Sequence, residues 1–178
     1  MSRETRYAFN KGPRDLSGPE YGGAASPSEV TTAENAQDAL FEAALSGDLG
    51  KLNEALTLGA NVNLKRDSDG ESALHIAVKE GHENIVTALL GVTGIDVNTK
   101  ITKTGETPLH LATTDGNKDI VTALLGTTGI DVNPLDKAGR TPLLMAAQTG
   151  NEAVVTALLG APGIDVNPKI YGSGVTPL

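Results

Sequence analysis

Hydrophobic residues along this chain recur in short helical patterns that come in pairs and are separated by glycines and polar turns. The clearest pattern runs from residue 119 to 125, where the apolar residues fall on one broad helical face. That face consists of Ile120, Val121, Leu124 and Leu125. A shorter apolar stretch lies just before it, and the sequence "GIDVN" follows it. The pattern predicts a helix, a turn, a second helix and an exposed hairpin in about 35 residues.

The first helix of this pair carries start and stop signals. Thr107 can accept a hydrogen bond from the free backbone N–H groups of the first turn, and Pro108 stands at the first helical position, where its missing N–H costs nothing. Gly116 can end the helix because glycine readily adopts the left-handed conformation. The corresponding signals elsewhere in the chain are Ser72, Gly81, Thr141, Pro142 and Gly150.

The paired pattern is an internal repeat. Three similar stretches begin at Gly70, Gly105 and Gly139, which are 35 and then 34 residues apart. A degenerate earlier copy begins at Ala39. Gly174 opens a further copy that breaks off after "VTPL", so we expect residues 171–178 to be the start of a truncated repeat.

The first-helix motif is specific enough to suggest a family. It reads "TPLHLA" at 107–112, "SALHIA" at 72–77 and "TPLLMA" at 141–146, where Leu144 replaces the histidine. This sequence resembles the ankyrin-repeat family, whose signature is Thr-Pro-Leu-His-x-Ala with a period of about 33 residues. The resemblance spans roughly residues 37–178. It implies an all-α solenoid of stacked helix-turn-helix units joined by short hairpin loops.

The repeat also predicts how the chain is organised. We expect a flexible Gly/Pro/Ser-rich N-terminal leader at 1–32, an N-terminal cap or degenerate repeat at 33–66, ankyrin repeats at 67–101, 102–135 and 136–170, and the truncated unit at 171–178. Helical structure should resume after Thr32, with Glu34, Gln37 and Asp38 on a polar outer face. The link from Asn133 to Gly139 is one residue shorter than its counterparts, which predicts one shorter hairpin.

Stacked short helix pairs favour binding over catalysis. A pair this short cannot bury its own apolar face, so successive pairs stack into a slab that encloses little volume and offers no deep cleft. In ankyrin-repeat proteins the hairpin tips and the concave wall of first helices usually bind another protein. The resemblance therefore implies a non-enzymatic, monomeric protein-binding module. An alternative is the recognition arm of a larger enzyme whose catalytic part lies beyond residue 178, and a third is an array that only self-associates.

The candidate partner-binding residues lie between the motif positions that the fold needs. Those at the hairpin tips are Ser68, Asp69 and Glu71, then Lys103, Thr104 and Glu106, then Lys137, Ala138 and Arg140. Those at the concave ends of the first helices are Lys79, Glu80, Thr114, Asp115, Gln148 and Thr149. The tips change from acidic to basic along the array, which could set the direction in which a bound segment lies.

Composition and charge narrow the possible functions. The chain has a formal net charge of −8, and the whole excess lies after residue 33, so its surface should repel nucleic-acid phosphates. There is no cysteine, which excludes disulfides, thiolate metal sites and thiol nucleophiles. We find no signal peptide and no run of about 18 apolar residues. These features predict an intracellular protein, cytoplasmic or nuclear, that binds neither nucleic acid nor membrane.

Two features resemble chemical sites but have simpler explanations. The stretch "DSDGE" at 67–71 fails as a calcium loop, because placing Gly70 sixth puts Lys65 first and Ile76 twelfth. His75 and His110 occupy the same repeat position and should hydrogen-bond the local hydroxyl or backbone to brace the turn. We find no phosphate loop, nucleophile motif or metal-ligand spacing, and therefore expect no catalytic residue, no metal and no cofactor.

Overall fold

The computed structural model describes residues 27–167, with side chains from residue 34 onward. This part of the chain contains eight helices and no strand. The helices are α1 (Pro27–Ser46), α2 (Leu49–Thr57), α3 (Ala73–Lys79), α4 (Glu83–Leu90), α5 (Pro108–Asp115), α6 (Lys118–Leu125), α7 (Pro142–Thr149) and α8 (Glu152–Leu159). The expected truncated repeat at 171–178 and most of the expected leader lie outside the described residues.

The helices form two parallel layers. The odd-numbered helices α1, α3, α5 and α7 pack side by side in one row, and α2, α4, α6 and α8 pack in the other. Each helix also packs against its partner in the same unit. The predicted all-α solenoid is therefore confirmed, because each pair buries its apolar face against the next pair.

Small aliphatic side chains fill the space between the layers. Fully buried residues include Leu74, Ile85, Leu109, Leu124 and Leu158, each with at most 1% of its surface exposed. Alanines at the helix contacts let the backbones approach closely. The described core contains no buried aromatic side chain other than the two histidines of the repeat motif.

Both ends of the first helices behave as predicted. Thr141 Oγ1 accepts a hydrogen bond from the Leu144 N–H (3.2 Å), and Pro108 and Pro142 occupy the first turns of α5 and α7. Gly116 ends α5 with φ of 74°. This left-handed conformation strains any residue with a Cβ, so glycine is favoured there.

The tips contain tight turns rather than paired strands. Lys65 and Ser72 form an isolated bridge within the described chain. The Gly70 and Gly105 N–H groups donate to the carbonyls of Arg66 and Ile101, four residues earlier. The Gly139 N–H donates to Asp136, only three residues earlier, which confirms the predicted shorter hairpin.

The N-terminal unit differs from the sequence-based expectation in two ways. Helix α1 begins at Pro27, before the expected start after Thr32, and proline is a favourable residue for a first helical turn. Gln37 was expected on a polar outer face, but its side chain turns inward and accepts a hydrogen bond from the Asn61 N–H (2.9 Å). The backbone group of a neighbouring loop decides its orientation, which helical periodicity alone cannot reveal.

Candidate protein-binding surface

The candidate residues differ in their exposure. The six helix-end candidates are all exposed and lie at equivalent positions on three adjacent first helices, and we call them the helix-end row: Lys79, Glu80, Thr114, Asp115, Gln148 and Thr149. Among the tip candidates, Ser68, Lys103, Thr104, Lys137 and Ala138 are exposed, Asp69, Glu106 and Arg140 are half-buried, and Glu71 is buried.

Glu71 is part of an ion-pair network that shapes the first tip. Its carboxylate contacts Arg66 Nη2 (2.8 Å) and Lys79 Nζ (2.9 Å), and only 9% of its side chain is exposed. Arg66 also pairs with Asp69. Burial alone would raise the pKa of Asp69, but the Glu71 N–H and the Arg66 guanidinium hold it below its ordinary value. This tip is therefore held in one conformation by its own charges.

The last described tip uses the same arrangement with the charges exchanged. Asp136, whose side chain is 1% exposed, accepts hydrogen bonds from the backbone N–H groups of Ala138 (2.9 Å) and Arg140 (2.8 Å), and from Arg140 Nε (2.7 Å). Although burial opposes this, these donors keep the pKa of Asp136 below its ordinary value. Arg140 also reaches Glu106 of the preceding tip at 3.7 Å. Arg140 thus holds a buried carboxylate and links two tips.

Replacing Arg140 by glutamine should lower the free energy of unfolding by about 1 kcal/mol, because it removes a charged donor from a buried carboxylate that keeps two backbone donors. Urea unfolding of Arg140→Gln and Lys137→Gln measures this difference. Because Lys137 is exposed, Lys137→Gln should lower the free energy of unfolding by less than about 0.5 kcal/mol. Equal losses in the two variants would contradict the assigned role of Arg140.

Lysine side chains tie neighbouring tips together. Lys103 Nζ donates to the carbonyl of Ser68 (2.8 Å), and Lys137 Nζ donates to that of Thr102 (2.7 Å). Lys65 and Lys100 reach in the opposite direction, to the carbonyls of Lys100 (2.7 Å) and Leu135 (2.8 Å). The three tips consequently form one edge in which each loop is positioned by its neighbours.

The predicted bracing role of His75 and His110 is confirmed. Nδ1 of His75 lies 3.2 Å from the Ser72 backbone nitrogen and 2.9 Å from its Oγ, and His110 makes the same contacts with Thr107. Nε2 lies 3.3 Å from the Glu106 carbonyl in the first case and 3.0 Å from the Arg140 carbonyl in the second. Because a carbonyl only accepts, Nε2 carries the proton and Nδ1 accepts from the N–H and the hydroxyl.

Each histidine therefore also fixes the tip of the following repeat, which local sequence reasoning did not reveal. Burial lowers the pKa of His75 to about 4 and lowers the pKa of His110 as well, so the neutral tautomer needed for both contacts is maintained.

Negative charge is concentrated in the first part of the helix-end row. Burial raises the pKa of Asp115, and the nearby carboxylates of Glu106 and Glu80 raise it further, while Lys79 acts in the opposite direction. Lys79 itself is paired with Glu71. This part of the surface thus holds more carboxylates than its own cations neutralise.

An asparagine ladder in the loops that follow α2, α4 and α6 was not found by sequence reasoning. It consists of Asn63, Asn98 and Asn133, each of which contacts the "Gly-x-Asp" segment of the next repeat. The signal was present in the recurring "DVN", which we interpreted only as turn residues. These asparagines join repeats, whereas the tips and the helix-end row remain available for contact.

The described residues form a depression on the surface but no metal-ligating cluster. They contain no group of three His, Asp or Glu side chains placed to hold a metal ion. An open depression of about 650 Å³ lies between α4 and α6 in the other helix layer. Its lining of Thr, Leu, Ile, Val, Ala and Gly has no titratable side chain. None of the helices in this part of the chain is both long and apolar enough to cross a bilayer.

Comparison with known proteins gives the same assignment as the geometry. The family model for ankyrin repeats (three copies) matches residues 23–101 and 94–170. No curated protein matches the chain. Ankyrin repeats are generally protein–protein interaction modules and are typically non-enzymatic. With its motif, its two-layered helix stack and this match over most of its length, the chain belongs to the ankyrin-repeat family.

Proposed function

We propose that this protein acts as a monomeric, non-enzymatic module that binds another protein across its hairpin tips and helix-end row. The observation that carries this proposal is the exposure of all six helix-end residues at equivalent positions on α3, α5 and α7. The preceding turn of each helix is almost entirely buried, so the packing of that turn holds the helix end in a fixed position. A preformed surface binds with little loss of conformational entropy.

The charge of this surface favours a partner segment that is basic at one end. Residues 66–71 contain one basic and three acidic side chains, whereas residues 136–140 contain two basic and one acidic. Glu80 and Asp115 add exposed carboxylates on the side of the acidic tip. A bound segment would then place its basic part against α3 and α5 and its neutral or acidic part near α7. Such charges govern orientation and association rate more than affinity.

Charge neutralisation on this surface should weaken partner binding. The test variant is Glu80→Gln with Asp115→Asn, and the matched control is Glu83→Gln with Asp119→Asn, which removes the same charges from exposed positions at the start of α4 and α6. Proteins retained by immobilised wild type are identified by mass spectrometry, and their affinities for all three forms are measured. We expect the test variant to bind at least about threefold more weakly, which corresponds to a loss of at least about 0.6 kcal/mol in binding free energy.

The control variant should bind as wild type does. Equal affinity of the test variant and wild type at low salt would place the binding surface elsewhere. Light scattering of the purified protein tests the monomeric state, and a discrete oligomer would favour the self-associating array instead.

A further inference from the structure

The asparagine ladder is built from one contact made three times. Asn63 Nδ2 donates to the Gly94 carbonyl (2.8 Å), and its Oδ1 accepts from the Asp96 N–H (2.8 Å). Asn98 makes the same pair of hydrogen bonds with Gly129 and Asp131, and Asn133 makes them with Gly163 and Asp165, all at 2.8 Å. Each amide thus contacts both the carbonyl and the N–H of a loop in the next repeat.

Within each loop, the aspartate that is held by one ladder asparagine accepts a hydrogen bond from the N–H of the next ladder asparagine. The Asp96 carboxylate accepts from the Asn98 N–H (3.0 Å), and the Asp131 carboxylate accepts from the Asn133 N–H (3.0 Å). Asn98 and Asn133 are therefore each oriented by the residue that the previous ladder asparagine holds. The hydrogen bonds form a continuous series across the repeats.

Within the described part of the chain, no repeat precedes the first loop to supply such an amide. Its sequence Gly59 to Asn63 corresponds to Gly94 to Asn98, so Asn61 takes the place of Asp96, and its Oδ1 accepts from the Asn63 N–H (3.0 Å). The Asn61 N–H donates to Gln37 Oε1 at 2.9 Å. Gln37 lies on α1, only 24 residues before Asn61, whereas Asn63 lies 33 residues before Asp96.

Gln37 reproduces only half of the ladder contact. Its oxygen takes the position of an asparagine Oδ1, but its Nε2 is buried and has no hydrogen-bond partner among the described residues. The ladder asparagines use the corresponding nitrogen to reach a glycine carbonyl. A buried amide nitrogen without a partner costs free energy, which the hydrogen bond to the oxygen offsets only in part.

We propose that Gln37 is the positioning residue that ends the asparagine ladder at its N-terminal side. By holding the Asn61 N–H, Gln37 fixes the loop that orients Asn63, and Asn63 is the first asparagine to clamp a following repeat. Helix α1 thereby acts as a cap for the loop edge of the array as well as for the apolar layer beneath it. The same helix face that would otherwise be polar surface is used to close the stack.

Amide hydrogen exchange of the full chain tests this role. Gln37→Met keeps the length of the side chain but removes the acceptor, and it should speed exchange of the Asn61 amide by about tenfold. Gln37→Glu keeps an acceptor oxygen and removes the orphaned donor, so the Asn61 amide should stay within about threefold of wild type. Asn98→Ala is the matched ladder control, and it should speed exchange at Asp131 but not at Asn61.

The proposal is overturned if Gln37→Met leaves the Asn61 amide as protected as in wild type, or if Gln37→Glu exposes it to the same extent as Gln37→Met. It is also overturned if Gln37→Met accelerates Asn61, Asp96 and Asp131 equally, because that would be a global loss of stability rather than the opening of one end. None of these measurements requires the partner protein.

Discussion

Replacing Leu124 by alanine should lower the free energy of unfolding by about 2 to 5 kcal/mol, the usual cost of a large-to-small change in a core. Leu124 lies in α6 at the centre of the array, is fully buried, and belongs to the core cluster shared by the two helix layers. Since α6 packs against both α4 and α8, the cavity would weaken contacts on both sides. Urea unfolding followed by circular dichroism measures the loss.

Leu125 is the matched control for this prediction. Both leucines fall on the broad apolar face read from the sequence, which predicts the same cost for either. In the structure Leu125 is only partly buried at the edge of the core, so Leu125→Ala should cost clearly less. A loss below about 0.5 kcal/mol for Leu124→Ala would contradict the stacking of α6 between its neighbours.

The sequence alone was sufficient to predict the features that recur in each repeat and depend on residues close together in the chain. The helix pairs, the capping residues Thr107 and Thr141, the left-handed Gly116 and the shorter hairpin near Gly139 all follow from short-range rules applied to successive copies. Because each copy contacts mainly the next one, these rules are enough to predict the whole solenoid.

Contacts between repeats could not be predicted in the same way. The lysine ties between tips and the asparagine ladder join residues up to 35 positions apart, where a single sequence gives no partner. Glu71 was misjudged for a different reason, because its cationic partners lie only five and eight residues away and helix and turn patterns do not pair such side chains. Its position between motif residues predicts a free surface group, whereas its carboxylate is enclosed by two cations.

Together, these contacts fix the positions of the loops at the edges of the array, and they depend on particular residues more than the packing of the interior does. The core uses interchangeable aliphatic residues, but each loop is set by a directed hydrogen bond from an adjacent unit: a histidine Nε2, a lysine Nζ or an asparagine amide. A surface for protein binding needs loops in fixed positions, and in this chain the repeats position one another's loops.

Acidification from about pH 7.5 to about pH 5 should destabilise the protein. His75 is neutral in the folded state because burial lowers its pKa to about 4, while in the unfolded chain it has the ordinary value of 6.5. Its stabilising contribution is therefore complete above pH 6.5 and is lost as the pH falls towards 4. Linkage gives a decrease of about 2 kcal/mol in the free energy of unfolding between about pH 7.5 and 5. His110, whose pKa is also lowered, adds to the decrease in the same direction.

Urea unfolding at the two pH values measures this difference for wild type and for His75→Leu, which places at residue 75 the leucine that the chain itself carries at Leu144. The variant loses contacts to Ser72 and to the Glu106 carbonyl and should be less stable at both pH values. The decrease in its free energy of unfolding between the two pH values should nevertheless be smaller than that of wild type by about 2 kcal/mol. Leucine cannot bind the proton that His75 takes up in the unfolded chain. If wild type and variant lose the same free energy between the two pH values, His75 is not held neutral in the folded state, and its Nδ1 does not accept the Ser72 N–H as assigned.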